Sequence, residues 1–127
     1  MNKKVLIVDD EPHIRTLLEQ TLEELEDYDV EIFTAANGKE GLETIQTETP
    51  DLVFLDVMMP EMNGYEVCQQ VKTDENLKDT YIIMLTAKGQ EFDKEKGMQM
   101  GTNMYITKPF DPDEVLEKAR EILKIED

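Results

Sequence analysis

The sequence contains no tryptophan, one histidine and one cysteine, and these scarcities narrow the possible functions. The single cysteine, Cys68, cannot form an internal disulfide, which is typical of a protein of the reducing cytoplasm. One His and one Cys also cannot form the ligand cluster that zinc prefers. We therefore expect a cytoplasmic protein without disulfides, in which any metal ion is bound by oxygen atoms.

Long apolar runs are missing as well. No stretch approaches the ~18 apolar residues that a transmembrane helix needs. The amino-terminal segment has only four consecutive apolar residues, at 5–8, before acidic residues follow, and this is too few for the apolar core of a signal peptide. The sequence therefore predicts a soluble intracellular protein that does not insert into membranes.

Basic residues are few compared with acidic ones. The chain has 13 Lys and Arg against 30 Asp and Glu, which gives a formal charge of −17 at pH 7. Such an acidic surface repels the phosphate backbone of nucleic acids, so direct binding to nucleic acid is not expected. Basic partners or metal cations are favoured instead.

What the chain does contain is a regular alternation of apolar runs and helical periodicities. Continuous apolar runs at 5–8, 52–55 and 81–85 predict strands that are covered on both faces. Weaker runs near 30–33 and 104–106 predict edge strands. Between and after the strands, helix-type spacing of apolar residues predicts five helices. The predicted helices cover residues 12–25, 38–49, 63–71, 90–99 and 111–123.

Five βα repeats in 127 residues predict one α/β domain that covers 1–127. Its parallel sheet is doubly wound, with helices on both faces, and right-handed crossovers leave few possible topologies. The most apolar strands belong in the middle of the sheet. The strand order 2-1-3-4-5 satisfies this requirement.

Polar residues stand where the apolar strands end. In a doubly wound sheet, the carboxyl ends of the strands border the crevice in which ligands bind. We therefore expect these side chains to face one crevice, although an Asp at any one strand end also serves as a turn or cap residue. They are Asp9 and Asp10 after the first strand, Asp56 after the third, Thr86 after the fourth and Lys108 after the fifth.

Three carboxylates in one crevice favour the binding of a cation. Two carboxylates ~4 Å apart repel each other by on the order of 4 kcal/mol at an effective dielectric constant of about 20, so either one is protonated or a cation binds. Oxygen ligands suit Mg²⁺, with Mn²⁺ as the alternative. Such an ion keeps positions for phosphate oxygens, and Asp56 is then a candidate nucleophile that forms an aspartyl phosphate. Lys108 and Thr86 would stabilise the transferred phosphoryl group.

Four sequence blocks resemble the signature of bacterial two-component response-regulator receiver domains, the family of the chemotaxis response regulator. The blocks are Val-Asp-Asp-Glu-Pro at 8–12, Leu-Asp-Val-Met-Met-Pro-Glu-Met-Asn-Gly at 55–64, Leu-Thr-Ala-Lys at 85–88 and Thr-Lys-Pro-Phe at 107–110. Together they span essentially the whole chain. The resemblance implies a flavodoxin-like three-layer sandwich and a signalling phosphoacceptor, which is not an enzyme but catalyses its own phosphorylation and dephosphorylation.

The resemblance also implies how the acceptor and the metal ion are arranged. Asp56 corresponds to the phosphoacceptor, which receives a phosphoryl group from a phosphohistidine of a sensor histidine kinase or a histidine phosphotransfer protein. Asp10, Asp56 and the main-chain carbonyl of Met58 correspond to direct Mg²⁺ ligands. Asp9 corresponds to a ligand that acts through water.

By the same resemblance, Thr86, Ala87 and Lys108 correspond to residues that bind the phosphoryl group. Thr86 and Tyr105 correspond to a switch pair that changes the face formed by the fourth helix, the fifth strand and the fifth helix. A downstream effector protein or domain reads this face, and a homodimer through it is a further arrangement that the family allows. The Lys108–Pro109 bond is usually cis in the family.

One segment departs from the family pattern. Where small and acidic residues are common before the switch aromatic, this chain has three methionines at 98, 100 and 104. They are either an adaptable partner surface or ordinary core residues, and the second interpretation is favoured.

Other functions fit the residues less well. A Mg²⁺-dependent aspartate-nucleophile phosphohydrolase is the main alternative, but it needs a second acid two residues after its nucleophile, where this chain has Met58, and an inserted cap to hold a substrate. A flavin or nucleotide carrier on this fold needs a Ser-, Thr- or Gly-rich phosphate loop, whereas residues 9–12 are Asp-Asp-Glu-Pro. A receiver-like domain that has lost phosphorylation would not need all five polar residues.

Overall fold

The computed structural model describes residues 2–87, 99 and 101–125. In this part of the chain, five strands form one parallel sheet in the order β2-β1-β3-β4-β5, so the predicted topology is confirmed. The two weaker apolar runs form the edge strands, also as predicted. The strands are β1 (Lys3–Val8), β2 (Val30–Ala35), β3 (Leu52–Asp56), β4 (Tyr81–Ala87) and β5 (Met104–Lys108).

Helices cover both faces of this sheet. They are α1 (Pro12–Leu22), α2 (Gly38–Glu48), α3 (Gly64–Lys72) and a C-terminal helix (Pro112–Leu123). The helix that the sequence predicts over 90–99 lies outside the described residues, Gln99 excepted. Among the residues that the structure describes, no helix combines the length and the apolar composition that a membrane span requires.

The first helix differs from its prediction. The α-helix ends at Leu22, and a 3₁₀ helix continues over Glu23–Tyr28, where the sequence pattern predicts one helix up to Leu25. Leu25 is nevertheless fully buried. Asp29 follows with a φ of 62°, in the left-handed region, and turns the chain into β2. The apolar spacing predicts which side chains are buried but not the tighter winding of the last turn.

The hydrophobic core consists of two clusters, one on each face of the sheet. Alternate residues of β1 point to opposite faces: Leu6 and Val8 join the cluster under α2 and α3, while Val5 and Ile7 join the cluster under α1 and the C-terminal helix. All four side chains are fully buried. This explains why the run has no polar residue, and it confirms the three-layer sandwich. Met104 packs half-buried against the second cluster, whereas residues 98 and 100 lie outside the described part of the chain.

Strand register brings the polar strand ends to one edge of the sheet. Val8 pairs with Leu55, so Asp9 and Asp56 follow at the same level of neighbouring strands. Asp56 pairs in turn with Leu85 of β4, directly before Thr86. Asp9 directly follows β1, and Asp56, Thr86 and Lys108 lie at or next to the last residue of their strands.

The loop after β3 is fixed by the start of α3. Asn63 and Glu66 form a capping box: the Glu66 amide donates to Asn63 Oδ1 at 3.0 Å, and the Asn63 amide donates to Glu66 Oε1 at 3.2 Å. The Gly64 amide donates to the Val57 carbonyl at 2.8 Å. A Cβ atom on Gly64 would lie 2.4 Å from the Asp56 carbonyl oxygen, so only glycine permits this close approach.

We therefore expect Gly64→Ala to lower the free energy of unfolding by about 2 kcal/mol, because backbone on both sides of the contact has to move. Urea unfolding followed by far-UV circular dichroism measures the change. Gln70→Ala, at an exposed position of the same helix, is the matched control and should leave stability within about 0.5 kcal/mol of wild type. Equal stability of the two variants would contradict the close contact.

Candidate functional site

The edge of the sheet brings four carboxylates together. Asp9, Asp10, Glu11 and Asp56 each offer one oxygen, and these oxygens all lie within 4.8 Å of one another. Asp9 is fully buried and Asp56 is only 3% exposed, whereas Asp10 is exposed. Three of the four are residues that the sequence predicts to converge. Their oxygen ligands are of the kind that Mg²⁺ and Mn²⁺ bind.

Asp9 has a partner for each of its oxygens. Its Oδ1 accepts from the Glu11 amide at 2.9 Å, and its Oδ2 accepts from Lys108 Nζ at 2.7 Å. Its main-chain carbonyl accepts from the Arg15 guanidinium at 2.7 Å. Because both carboxylate oxygens are already engaged, Asp9 suits a role near a metal ion better than direct coordination of one.

Lys108 brings a positive charge into the acidic cluster. Its Nζ lies 2.7 Å from Asp9, 3.4 Å from Glu11 and 3.5 Å from Asp56, and the residue is only 8% exposed. The lysine ends β5, so the edge strand of the sheet supplies the counter-ion for two central strands. The Lys108–Pro109 peptide bond is cis, as the resemblance implies.

The crowding of charges changes the ionisation of Asp56. Burial, followed by the charge of Asp9 and the hydrogen bond and charge of Asp10, raises the pKa of Asp56 to about 7, although the charge of Lys108 acts in the opposite direction. Burial would lower the pKa of Lys108, but the hydrogen bond to Asp9 and the charges of Asp56, Asp9 and Glu11 outweigh it and raise this pKa. The site therefore holds a charged lysine and an acid that is half-protonated near neutral pH.

The remaining predicted residues lie on β4, on β5 and in the loop after β3. Thr86 is 3% exposed near the end of β4, and Ala87 follows it, half-buried. Met58, two residues after Asp56, is 53% exposed. Tyr105 is 39% exposed on β5, which pairs with β4, so both members of the predicted switch pair lie on adjacent strands.

Glu11 is the site residue that the sequence analysis misses. It lies directly after Asp9 and Asp10, within the block 8–12, and it precedes Pro12 at the amino-terminal cap position of α1. At this position an acid is usually interpreted as a helix cap. The Glu11 side chain makes no cap hydrogen bond, and it contacts Lys108 instead.

Comparison with known proteins gives a consistent result. Residues 5–120 match the family described as "Response regulator receiver domain". Over 124 residues the chain is 48% identical to the alkaline phosphatase synthesis transcriptional regulatory protein PhoP of Bacillus subtilis. The aligned region covers 98% of this chain and 50% of that protein. The chain thus spans about half the length of the curated relatives it matches.

Two solved structures have a closely similar fold. The chemotaxis response regulator CheY4 of Vibrio cholerae has a TM-score of 0.82 and 34% identity, over 96% of this chain and 99% of that chain. The receiver domain of the sensor histidine kinase PA1611 of Pseudomonas aeruginosa has a TM-score of 0.84 and 26% identity, over 98% of this chain and 99% of that chain. The latter structure contains a magnesium ion coordinated in the active site cleft of that protein.

Proposed function

Because the chain belongs to the response regulator receiver domain family, we propose that it accepts a phosphoryl group on Asp56 from a phosphohistidine in a two-component phosphorelay. It is a signalling protein, and the comparisons give no support to the phosphohydrolase alternative. The observation that carries the proposal is the position of Asp56. Its carboxylate is buried at the carboxyl end of a central strand, 3.5 Å from Lys108 and within 4.8 Å of three further acids.

The acidic cluster suits a divalent cation. We assign Asp10, Asp56 and the main-chain carbonyl of Met58 as Mg²⁺ ligands and Asp9 as a ligand through water, with Mn²⁺ as the alternative ion. The convergence of the carboxylate oxygens supports this assignment; burial, followed by the charges of Asp9 and Asp10, raises the pKa of Asp56, so the neighbouring acids oppose its ionisation in the absence of a cation. When bound, the ion would neutralise charge on the phosphoryl oxygens.

The chain's own residues account for the rest of the transfer. An Asp56 carboxylate oxygen attacks phosphorus; the O–P bond forms as the N–P bond of the phosphohistidine breaks, and the electron pair of that bond stays on the imidazole. Lys108 neutralises the added charge on the phosphoryl oxygens. The Thr86 hydroxyl and the Ala87 backbone amide, both at the end of β4, are assigned as hydrogen-bond donors to the same group. Attack by water on the acyl phosphate reverses the modification.

The switch connects this site to a partner surface. We propose that Thr86 moves towards the phosphoryl group, that Tyr105 turns inward, and that the face of β5 and the C-terminal helix changes as a result. The predicted fourth helix, which the family adds to this face, lies outside the described residues except for Gln99. A sensor histidine kinase or a histidine phosphotransfer protein is the donor. The reader of this face is a downstream effector protein or domain, or a second copy of the chain in a homodimer.

The extent and location of the domain are part of the same proposal. Residues 1–127 form one receiver domain, and the transcriptional regulator among its relatives is about twice as long. A cytoplasmic location fits the single cysteine, which lies on α3 and is buried in the hydrophobic core without a disulfide.

The proposal is tested by direct phosphorylation. Incubation with acetyl phosphate and Mg²⁺ is expected to add the mass of one phosphoryl group, because Asp56 is the acceptor and the ion neutralises the charge. The adduct should resist acid and hydrolyse in base, as an acyl phosphate does. Intact-protein mass spectrometry measures the labelled fraction over time.

The matched control is the same incubation with excess EDTA, in which labelling should fall by about tenfold or more because the carboxylates then lack their cation. An unchanged mass in the presence of Mg²⁺ would count against the proposed function. Equal labelling with and without EDTA would count against the metal site alone.

A further inference from the structure

The three carboxylates around Lys108 differ in how firmly they are held. Asp9 and Asp56 are buried side chains at the ends of central strands, and neither can move far. Glu11 is 47% exposed and lies in the loop that precedes α1. Of the three partners of Lys108, Glu11 is therefore the one that lies nearest to solvent and can most easily be displaced.

Glu11 is placed to act on Lys108 and not on its own helix. Although it occupies the cap position of α1, its carboxylate accepts no cap hydrogen bond. Its Oε1 lies 3.4 Å from Lys108 Nζ, and its Oε2 lies 3.5 Å from Nε2 of the exposed His13. The carboxylate thus contacts the lysine and an exposed histidine, and not the amides of its own helix.

A phosphoryl group on Asp56 would need a hydrogen bond from the Lys108 ammonium, and Glu11 already accepts one from it. The Lys108 ammonium has three N–H groups. One of them donates to Asp9 in a short, buried contact. The contacts of Lys108 Nζ with Glu11, at 3.4 Å, and with Asp56, at 3.5 Å, are nearly equal in length. Glu11, which accepts a hydrogen bond from Lys108, therefore competes with Asp56 for the ammonium.

Resting on the proposed function, we propose that Glu11 is a positioning residue that restrains Lys108 and thereby slows phosphoryl transfer to Asp56. The same negative charge lies within 4.8 Å of the other carboxylates and strengthens the binding of a divalent cation. Glu11 thus acts in opposite directions on the two steps: it favours the metal ion and opposes the transfer. A purely structural role would not produce this opposition.

The test separates the two steps with Glu11→Gln. We expect the dissociation constant for Mg²⁺, measured by isothermal titration calorimetry, to rise about fivefold, because one nearby charge is lost. At saturating Mg²⁺, the rate of labelling by acetyl phosphate should also rise about fivefold, because Lys108 is released. Glu11→Asp keeps the charge but shortens the reach, so its Mg²⁺ affinity should stay near that of wild type while its labelling is faster.

The matched control is Glu43→Gln, which removes an equal charge from an exposed position of α2 and should change neither quantity. A labelling rate of Glu11→Gln equal to or below that of wild type would overturn the inference. If wild type itself is not labelled, the proposed function fails; if wild type is labelled and Glu11→Gln is labelled no faster, only the role of Glu11 fails.

A second measurement tests whether the effect passes through Lys108. Urea unfolding of metal-free wild type, Glu11→Gln, Lys108→Ala and the double variant forms a thermodynamic cycle that does not depend on phosphorylation. We expect the two residues to be coupled by about threefold in the unfolding equilibrium constant. Strictly additive changes would mean that Glu11 does not restrain Lys108, and this too would overturn the inference.

Discussion

Asp56→Asn is expected to abolish the phosphoryl adduct, with labelling reduced on the order of a hundredfold or more. The amide that replaces the carboxylate is not a nucleophile. Both oxygens of the other buried acid, Asp9, already accept hydrogen bonds, from the Glu11 amide and from Lys108. The measurement is the labelled fraction by intact mass after incubation with acetyl phosphate and Mg²⁺. Undiminished labelling would show that a residue other than Asp56 is the phosphoacceptor.

The stability of the same variant provides the control for folding. The folded protein raises the pKa of Asp56 from 3.8 to about 7, so between these values the native state binds more protons than the unfolded chain. The contribution of this group to stability therefore falls as pH rises from about 4 to about 7, and it stays low above that. Without metal at pH 8, Asp56→Asn should be more stable than wild type, by on the order of a few kcal/mol.

The affinity for Mg²⁺ is expected to fall about a hundredfold between pH 8 and pH 5. A carboxylate ligand must lose its proton before it binds a metal ion, and the pKa of Asp56 is about 7 in the metal-free protein. Above about pH 7 the Asp56 carboxylate is deprotonated and can bind the ion. Below this pH, each further unit weakens the binding of Mg²⁺ about tenfold. Calorimetric titration with Mg²⁺ at several pH values measures the effect.

The control for the pH dependence is again Asp56→Asn, which should bind Mg²⁺ weakly and with little change between pH 8 and pH 6. A wild-type affinity that stays constant from pH 8 to pH 5 would contradict the raised pKa of Asp56. If the affinity is constant but labelling is normal, Asp56 remains the proposed phosphoacceptor and only its raised pKa is contradicted.

The topology of the sheet is readable from the sequence because burial on two faces leaves no place for polar residues. The unbroken apolar run at 5–8, bounded by polar residues, is typical of a strand that helices cover on both sides, and such strands occupy the middle of the sheet. Once strands 5–8 and 52–55 are neighbours, Asp9 and Asp56 must lie at the same edge. The convergence of these two acids therefore follows from pattern and topology alone.

Other features depend on distances that a sequence pattern does not contain. The 3₁₀ winding of Glu23–Tyr28 buries Leu25 just as a continued α-helix would, so apolar spacing does not distinguish the two. Glu11 stands at a cap position, and only its side-chain geometry shows that it contacts Lys108 rather than the helix. The ionisation of Asp56 likewise depends on how deeply it is buried among its neighbours.

The hydrogen bond between Asp9 and Lys108 joins residues 99 positions apart in the chain. During synthesis, the three acids at 9, 10 and 56 leave the ribosome long before the lysine that neutralises them. A nascent chain that ends before β5 lacks this counter-ion as well as the edge of its sheet. The carboxylates of this site therefore gain their lysine counter-ion only after β5 has been synthesised.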